Sequence, residues 1–193
     1  SWLANVGSSY LNAGVSPKRW GNAHPNIVPY QIFQGSDARH FVVGVGTQGQ
    51  WLRLVKMLDA EEVGADARFA DNAARIANRA QLIPLLQQRF DTYPRDTWLA
   101  QLKQSDIPAA AIQDVGEALN DPQTRARGLV VELEHPSLGT ARSIANPIRL
   151  QNQPLQYRLP PPLLGEHTAA ILRQLQYSEE DVVRAVQDAC AVL

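Results

Sequence analysis

A strand-like run, a glycine-rich turn and a helix-like run follow one another in residues 41–58, and no other stretch constrains the fold as strongly. The strand-like run reads FVV at residues 41–43, and apolar residues recur at positions 51, 54, 55 and 58 with the spacing of one helical face. The turn between them reads GVGTQG at residues 44–49, which matches the pattern G-x-G-x-x-G. Glycines at such a turn let the backbone approach a ligand closely, and the N-terminus of the following helix favours anions.

Three interpretations of this turn are open. A dinucleotide-binding turn also needs a second parallel strand after the helix, ending in an acidic residue that holds a ribose. Here the helix runs into the polar segment DAEEVGAD at residues 59–66, which has no strand pattern, so a nicotinamide or flavin site is disfavoured. The turn could serve only to pack strand against helix. It could also form a loop that covers a ligand held mainly by another part of the protein.

Composition disfavours several classes of function. The formal net charge of -1 gives no electrostatic basis for binding nucleic acid or an anionic membrane. No apolar run approaches the roughly 20 residues that span a bilayer, and no signal peptide is recognisable. The single cysteine, Cys190, excludes an internal disulfide and fits a reducing compartment, so we expect a cytoplasmic protein. The four histidines lack metal-ligand spacing, and we expect no metal and no bound cofactor.

Turn signals and apolar periodicity predict the end of a helix and a linker in residues 1–26, followed by short strands and helices. Residues 146–162 are punctuated by prolines and are expected to be extended, and helices follow at the C-terminal end. Pro84 lies inside a helical pattern that begins near Asp71, where proline is expected to bend or break the helix. Because the chain begins inside an apolar segment without an initiator methionine, we expect it to be part of a longer protein.

Short motifs along nearly the whole chain carry a family resemblance. They are RWGNAHP at 19–25, VPYQ at 28–31, VG at 43–44, QW at 50–51, RF at 68–69, Asn72, Arg75, NR at 78–79, Trp98, DPQ at 121–123, HP at 135–136, Gly139, Pro147 and PPLLGEHT at 161–168. Together, and in this order, they resemble the family III CoA-transferases, also called the CaiB/BaiF family. Within that family the W-G-x-A-H and PPPLLG segments are most similar to the succinyl-CoA:glutarate CoA-transferase branch.

The resemblance implies a fold and an assembly. Family members form homodimers whose two subunits interlock like links of a chain. Each subunit has a Rossmann-like large domain, built from its N-terminal half and C-terminal tail, with a small α+β domain between. In this chain the resemblance would place a helix end and linker of the large domain at residues 1–26, and the small α+β domain, with a short antiparallel sheet and surrounding helices, at residues 27–146. Residues 147–193 would be a return linker and C-terminal helices that pack on the large domain. Its implied partners are the N-terminal half of the same protein and a second copy, besides an acyl-CoA and a small carboxylic acid.

The resemblance also implies a chemistry. CoA would move between an acyl-CoA and a small carboxylic or dicarboxylic acid through an aspartyl anhydride and an aspartyl thioester, with the CoA thioester as substrate. Covalent catalysis of this kind divides one difficult transfer into easier steps. The family's nucleophilic aspartate would lie upstream of Ser1, so we predict no catalytic residue in this chain and expect it to be inactive alone.

The resemblance assigns a substrate- and CoA-covering loop to Gly46, Thr47, Gln48 and Gly49. Related α-methylacyl-CoA racemases carry a glutamate in this loop, whereas Thr47 and Gln48 are neither acids nor bases. We therefore favour transfer over racemase-like isomerisation. A non-catalytic interaction module is the alternative outside enzymology.

Arg19 and His24 are candidate substrate contacts. The planar guanidinium of Arg19 could bind a carboxylate or a phosphate, although a solvated linker arginine is equally compatible with the sequence. His24 follows a turn and precedes a proline, so it could instead serve as a structural hydrogen-bonding group. Trp20, Trp51 and Trp98 are expected to anchor the core or a domain interface.

Overall fold

A computed structural model describes residues 3–153 and 155–187. The chain divides into two compact units, Ser1–Gln113 and Asp114–Leu193, which we call the first and second units. The division falls inside the range 27–146 predicted as the small domain, and the predicted domain limits stay predictions. The expectations for Cys190 and for the final residues fall outside the described part of the chain.

The first unit combines short strands with surrounding helices. Its elements are α1 (Ala4–Ala13), β1 (Tyr30–Gln34), β2 (His40–Gly44), α2 (Gln48–Met57), α3 (Glu61–Ala65), a 3-10 turn (Ala67–Phe69), α4 (Asn72–Ala77), α5 (Arg79–Phe90), α6 (Arg95–Gln104) and β3 (Ala109–Ala111). This arrangement confirms the predicted mixed α/β fold with a short antiparallel sheet. Helix α1 ends at Gly14, which adopts a left-handed conformation that glycine tolerates without steric cost.

The three strands of the first unit form an antiparallel sheet in the order β1-β2-β3. Strand β1 lies at an edge and starts directly after Pro29, as expected for a strand whose preceding residue cannot donate a backbone hydrogen bond. The β1–β2 turn is longer than a two-residue turn, because Gln34 pairs with His40 and the Gly35 N–H donates to the Arg39 carbonyl.

Apolar residues from both sheet and helices fill one core. Phe90 packs against Phe33, Phe41 and Trp98, with ring centroids 4.8, 5.1 and 5.3 Å away. The Trp98 Nε1–H donates to the Phe90 carbonyl at 2.8 Å, which satisfies the indole inside the core. Trp51 is fully buried in the same core, so Trp51 and Trp98 are core residues as predicted. Trp20 is 40% exposed and does not belong to this core.

The helix predicted to begin near Asp71 ends at Ala77, and α5 then runs without a break through Pro84. Of the two expected effects of Pro84, a bend or a break, the break is wrong. Pro84 lies on the exposed face, where water can hydrate the carbonyl left without its donor, while buried Leu82 and Leu86 hold the opposite face. The interruption lies instead at Asn78, whose side-chain amide donates to the Ala74 carbonyl at 2.9 Å and so competes with helical hydrogen bonding.

The second unit contains a second hairpin and the C-terminal helices. Its elements are α7 (Val115–Asn120), α8 (Pro122–Ala126), β4 (Val130–His135), β5 (Gly139–Ile144), α9 (Thr168–Gln174) and α10 (Glu179–Gln187). Strands β4 and β5 pair antiparallel, with Val130 opposite Ile144. Ser178 caps α10 as expected, because its hydroxyl accepts the Asp181 N–H at 3.2 Å.

Candidate functional site

The glycine-rich turn lies between β2 and α2, and hydrogen bonds hold it on both sides. The Gly44 N–H donates to the Pro108 carbonyl and the Val45 N–H donates to the Pro29 carbonyl, both at 2.9 Å. The apolar alternation of β2 buries Val43 and Val45, and α2 buries Trp51 and Leu54. The strand-to-helix geometry that the sequence predicted is therefore present, and the turn between the elements is fixed at its strand end.

A capping box closes the start of α2. The Thr47 hydroxyl accepts the Gln50 N–H at 3.2 Å, and Gln50 Oε1 accepts the N–H groups of Gly46 and Thr47 at 2.8 and 3.1 Å. The chain thus satisfies two backbone donors that a phosphate-cradling loop would offer to its ligand. Sheet topology also argues against a dinucleotide site, because β2 pairs antiparallel with both neighbours and α3 follows α2.

The glycines of this turn are not required by the packing of the chain itself. None of Gly44, Gly46 and Gly49 has a left-handed φ. A Cβ atom at these positions would have its nearest neighbours at 3.5, 3.7 and 3.6 Å, which are ordinary van der Waals distances. The structure therefore gives no steric reason within the first unit for glycine at these positions.

Gln48 anchors the turn to the segment before α4. Its Nε2 donates to the Ala70 carbonyl at 2.7 Å, and its Oε1 accepts from Arg75 Nη1 at 3.1 Å. Both functional ends of the amide are therefore engaged by groups on neighbouring segments.

Arg75 is a buried cation that joins three parts of the first unit. It is 2% exposed, donates from Nε to the Val28 carbonyl at 2.8 Å, and donates from Nη1 to the Phe69 carbonyl at 3.1 Å. Its guanidinium lies 4.8 Å from the centroid of the Trp51 ring. Burial lowers the pKa of this guanidinium, and the nearby charge of Asp71 opposes that shift.

Arg79 holds the linker that precedes β1. Arg79 Nη2 donates to the carbonyls of His24 and Pro25 at 2.6 and 3.1 Å, and its guanidinium stacks over the Trp20 ring at 4.7 Å. The sequence names Arg75 and Arg79 only as members of the family motifs, and it did not predict that they bind backbone carbonyls of the linker. A signal was available, because both arginines continue the apolar face of residues 82, 86 and 90 in steps of three or four.

The structure places the two predicted substrate contacts in different settings. His24 Nδ1 accepts the Asn26 N–H at 3.1 Å, and the imidazole stacks on Tyr30 with centroids 5.4 Å apart and planes 7° apart. Arg19 is exposed and makes no hydrogen bond or ion pair with any residue in the described part of the chain. His24 is thus fixed next to Tyr30, whereas Arg19 is available to a ligand but is not held in position.

A shallow hollow of about 560 Å³ adjoins the glycine-rich turn. It lies over the sheet face opposite the core, and its lining residues are Ile27, Tyr30, Val42, Gly44, Gly46, Thr47, Gln50, Pro108, Ala109 and Ala110. Tyr30 belongs to this lining, so the structure brings His24 to its edge and the turn into its wall. The lining is mostly apolar and carries no charged side chain.

Within the described residues, 3–153 and 155–187, no group of three or more His, Cys, Asp or Glu side chains is placed to hold a metal ion. No helix in the same ranges is both long and apolar enough to cross a bilayer.

The chain is similar to known proteins in sequence and in structure. The family model of CoA-transferase family III matches residues 1–168. The human protein named succinyl-CoA:glutarate CoA-transferase is 34% identical over 93% of this chain and 41% of its own length. The succinate–glutarate CoA-transferase of Agrobacterium fabrum is 35% identical over 92% of this chain and 44% of its own length.

A solved structure supports the same relationship. The CaiB/BaiF family protein from Brucella suis superimposes with a TM-score of 0.74 and is 41% identical, covering 90% of this chain and 44% of that chain. The chain therefore spans less than half the length of these relatives.

Proposed function

The chain belongs to CoA-transferase family III, and on this basis we propose that the intact protein moves CoA between an acyl-CoA and a small carboxylic acid. The observation that carries the proposal is the family match over residues 1–168. Two relatives carry names that specify succinate or succinyl-CoA with glutarate, which favours dicarboxylates as the substrate class.

The proposed nucleophile is an aspartate outside residues 1–193. Its carboxylate attacks the donor thioester carbonyl, the C–S bond breaks, and CoA leaves as a thiolate from a mixed anhydride. The thiolate then attacks the aspartyl carbonyl of the anhydride, which releases the donor acid and leaves an aspartyl thioester. The acceptor carboxylate then attacks the aspartyl thioester and displaces CoA as a thiolate, which gives a second mixed anhydride. The thiolate attacks the carbonyl carbon of the acceptor in this anhydride, which releases the new acyl-CoA and regenerates the aspartate.

In this proposal residues 46–49 cover the reacting groups. An anhydride is lost if water reaches it, so a covering loop protects the transfer. The first unit gives no steric need for glycine at positions 46 and 49. Close approach by a ligand or by another part of the protein supplies a reason to keep these positions without side chains.

Isomerisation is the second enzymatic candidate, and the loop does not favour it. Proton abstraction next to a carbonyl needs a positioned base. Thr47 is the N-cap of α2, and both ends of the Gln48 amide are engaged. An interaction module without catalysis is the third candidate, and assays of the intact protein separate all three.

Arg19 and His24 are the proposed substrate contacts contributed by this chain. Arg19 would face the distal carboxylate of a dicarboxylate, while His24 would act from its stacked position on Tyr30. An Arg19→Ala enzyme should lose part of its preference for dicarboxylates over monocarboxylates. An unchanged preference would remove Arg19 from the site.

The proposed assembly is an interlocked cytoplasmic homodimer, with the missing N-terminal half completing the large domain. Exposed apolar side chains of the second unit support a covering partner, among them Leu164 at 85% exposure. No nucleic acid, membrane, metal or bound cofactor is part of the proposal.

The decisive experiment incubates the intact protein with succinyl-CoA and glutarate and follows glutaryl-CoA by mass spectrometry. Borohydride added during turnover should reduce the thioester and mark one aspartate outside residues 1–193. The isolated 193-residue chain should show no transfer. Failure with a panel of mono- and dicarboxylates would overturn the proposal, and exchange of the α-proton of a branched acyl-CoA would support isomerisation instead.

A further inference from the structure

The shape and the position of the glycine-rich turn depend on different glutamines. Among the described residues, the Gln50 side chain bonds to the turn itself, where its Oε1 accepts the N–H groups of Gly46 and Thr47, and so fixes the local shape of the turn. Gln48 instead reaches out of the turn to the Ala70 carbonyl and to Arg75. Breaking the Gln48 contacts would free the turn from its surroundings without removing the cap of α2.

Arg75 provides a rigid point for this attachment. Its guanidinium bonds to the carbonyls of Val28 and Phe69 and lies over Trp51, so rotation of the side chain would break several contacts together. Hydrogen bonds from a charged donor are stronger than neutral ones, which favours Arg75 over the Ala70 contact as the main attachment. Val28 is separated from the edge strand only by Pro29, so the Arg75 side chain also ties the turn to the linker.

We infer that Arg75 is a positioning residue for transfer, acting through Gln48 to hold residues 46–49 over the reacting groups. This inference rests on the proposed function for its catalytic meaning. It identifies Gln48 as an anchor of the loop and assigns a task to a buried arginine that makes no ion pair with any described residue.

The test uses the intact protein and compares Gln48→Leu with Gln104→Leu. Leucine keeps the approximate size of the side chain but removes both Gln48 hydrogen bonds. Gln104 is exposed on α6 and makes no hydrogen bond within the described residues, so it is a matched control. The measurement is the ratio of acyl-CoA hydrolysis to CoA transfer, because a loosened loop admits water to the reactive intermediate.

We expect Gln48→Leu to raise this ratio about tenfold, as the loss of one charge-assisted hydrogen bond implies, and Gln104→Leu to leave it unchanged. Arg75→Lys should raise the ratio as well, but should add nothing in the Gln48→Leu background. Transfer with an unchanged ratio in Gln48→Leu would overturn the inference. If Arg75→Lys fails to fold, Gln48→Glu replaces it, because glutamate keeps an acceptor for Arg75 but loses the donor to the Ala70 carbonyl. A ratio raised as far in Gln48→Glu as in Gln48→Leu would overturn the role of Arg75.

Hydrogen exchange tests the inference independently of activity. The amides of Gly46 and Thr47, which Gln50 Oε1 accepts, should exchange about tenfold faster in Gln48→Leu than in Gln104→Leu, because a turn detached from Ala70 and Arg75 opens more often, while the amides of β2 stay unchanged. Unchanged exchange of Gly46 and Thr47 would overturn the inference even if the enzyme transfers CoA. If the intact protein transfers no CoA, the proposed function fails, and the exchange measurement still decides whether Gln48 holds the loop.

Discussion

Asn72 and Val28 lie 44 positions apart in sequence, and Asn72 Oδ1 accepts the Val28 backbone N–H at 3.1 Å. The same amide donates from Nδ2 to the Asn26 carbonyl at 2.9 Å. One side chain at the start of α4 thus satisfies a donor and an acceptor of the linker that leads into the edge strand. Since Arg75 and Arg79 bind neighbouring carbonyls, the linker is held as a unit against α4 and α5.

The first prediction separates the two bonds of Asn72. Asn72→Ala should lower the free energy of unfolding by about 2 kcal/mol, since both linker bonds are lost at about 1 kcal/mol each. Asn72→Asp keeps the acceptor for Val28 but loses the donor to Asn26, so we expect a smaller decrease of about 1 kcal/mol. Urea unfolding measures both, and the exposed Gln104→Ala serves as control. Equal losses in Ala and Asp variants would show that the Val28 bond contributes nothing.

Local structure in the first unit could be predicted because short-range patterns determine it. The alternation around Phe41 and the spacing of Trp51, Leu54 and Leu58 predict a strand and a helix, and both are present. The chain also marks the end of α1, where Gly14 supplies the left-handed residue. In each case neighbours in sequence carry the information.

Long-range contacts explain what the sequence did not predict. The position of Arg75 on the apolar face of a helix predicts burial, but not its partners. Val28 and Gln48 come from segments that only folding brings close to Arg75. The continuity of α5 through Pro84 depends likewise on tertiary packing, because packing determines which face of the helix is solvated. The role of Gly46 could not be derived, since the first unit alone does not require a glycine there.

The second prediction concerns His135, which joins the β4–β5 hairpin to the proline-rich segment at residues 158–162. Its Nδ1 accepts the N–H groups of Ser137 and Leu138 at 3.2 Å, so the ring proton lies on Nε2 and is donated to the Pro161 carbonyl at 3.1 Å. Asparagine can replace the Nδ1 acceptor, whereas glutamine can reach as far as Nε2.

His135→Asn should therefore release the proline-rich segment, and His135→Gln should retain it. Trypsin cleavage after the exposed Arg158 should be about fivefold faster in His135→Asn, which corresponds to the loss of one hydrogen bond of about 1 kcal/mol. Cleavage after Arg149 gives the internal reference. Equal acceleration by both substitutions would contradict the assignment of the Nε2 proton.

The third prediction is a pH dependence of stability at Asp66. The side-chain hydrogen bond from Arg68, followed by the Arg68 backbone N–H, holds the pKa of this carboxyl below its usual 3.8. A lowered pKa means that the charged carboxylate stabilises the folded state above the unfolded pKa, and that this stabilisation is lost as the pH falls through the folded pKa.

The difference in free energy of unfolding between wild type and Asp66→Asn should therefore be constant above about pH 5 and shrink on further acidification. Arg68→Gln removes the partner and should shrink the same pH dependence. Denaturant unfolding at several pH values provides the measurement. Curves for wild type and Asp66→Asn that stay parallel down to pH 3 would refute this linkage.

The fourth prediction follows from apolar side chains on the C-terminal helices. Ile171 and Leu175 are 52% and 64% exposed on α9 and its C-cap. Each apolar side chain that becomes fully buried contributes about 1.5–3 kcal/mol, so the isolated 193-residue chain should self-associate. Sedimentation should show smaller species for the double variant Ile171→Ser/Leu175→Ser, but not for Leu138→Ser in the β4–β5 turn. A monomeric wild-type chain at high concentration would contradict this expectation.

The last prediction compares two glycines with opposite surroundings. A Cβ atom on Gly35 would lie 2.6 Å from the Arg95 backbone nitrogen, whereas one on Gly46 would have its nearest neighbour at 3.7 Å. Gly35→Ala should therefore lower the free energy of unfolding by about 1–3 kcal/mol. Gly46→Ala should be neutral or stabilising by up to about 1 kcal/mol, because alanine restricts the unfolded chain.

Activity of the intact protein then decides why position 46 is a glycine. If the loop must approach a ligand, Gly46→Ala keeps its stability but transfers CoA at least about tenfold more slowly, as a loss of about 1.4 kcal/mol of transition-state stabilisation implies. If the glycine serves only to pack β2 against α2, the same substitution lowers the melting temperature and leaves the rate per folded molecule unchanged. Thermal unfolding and initial rates measured on one preparation separate the two, with Gly35→Ala as the control for a glycine that packing requires.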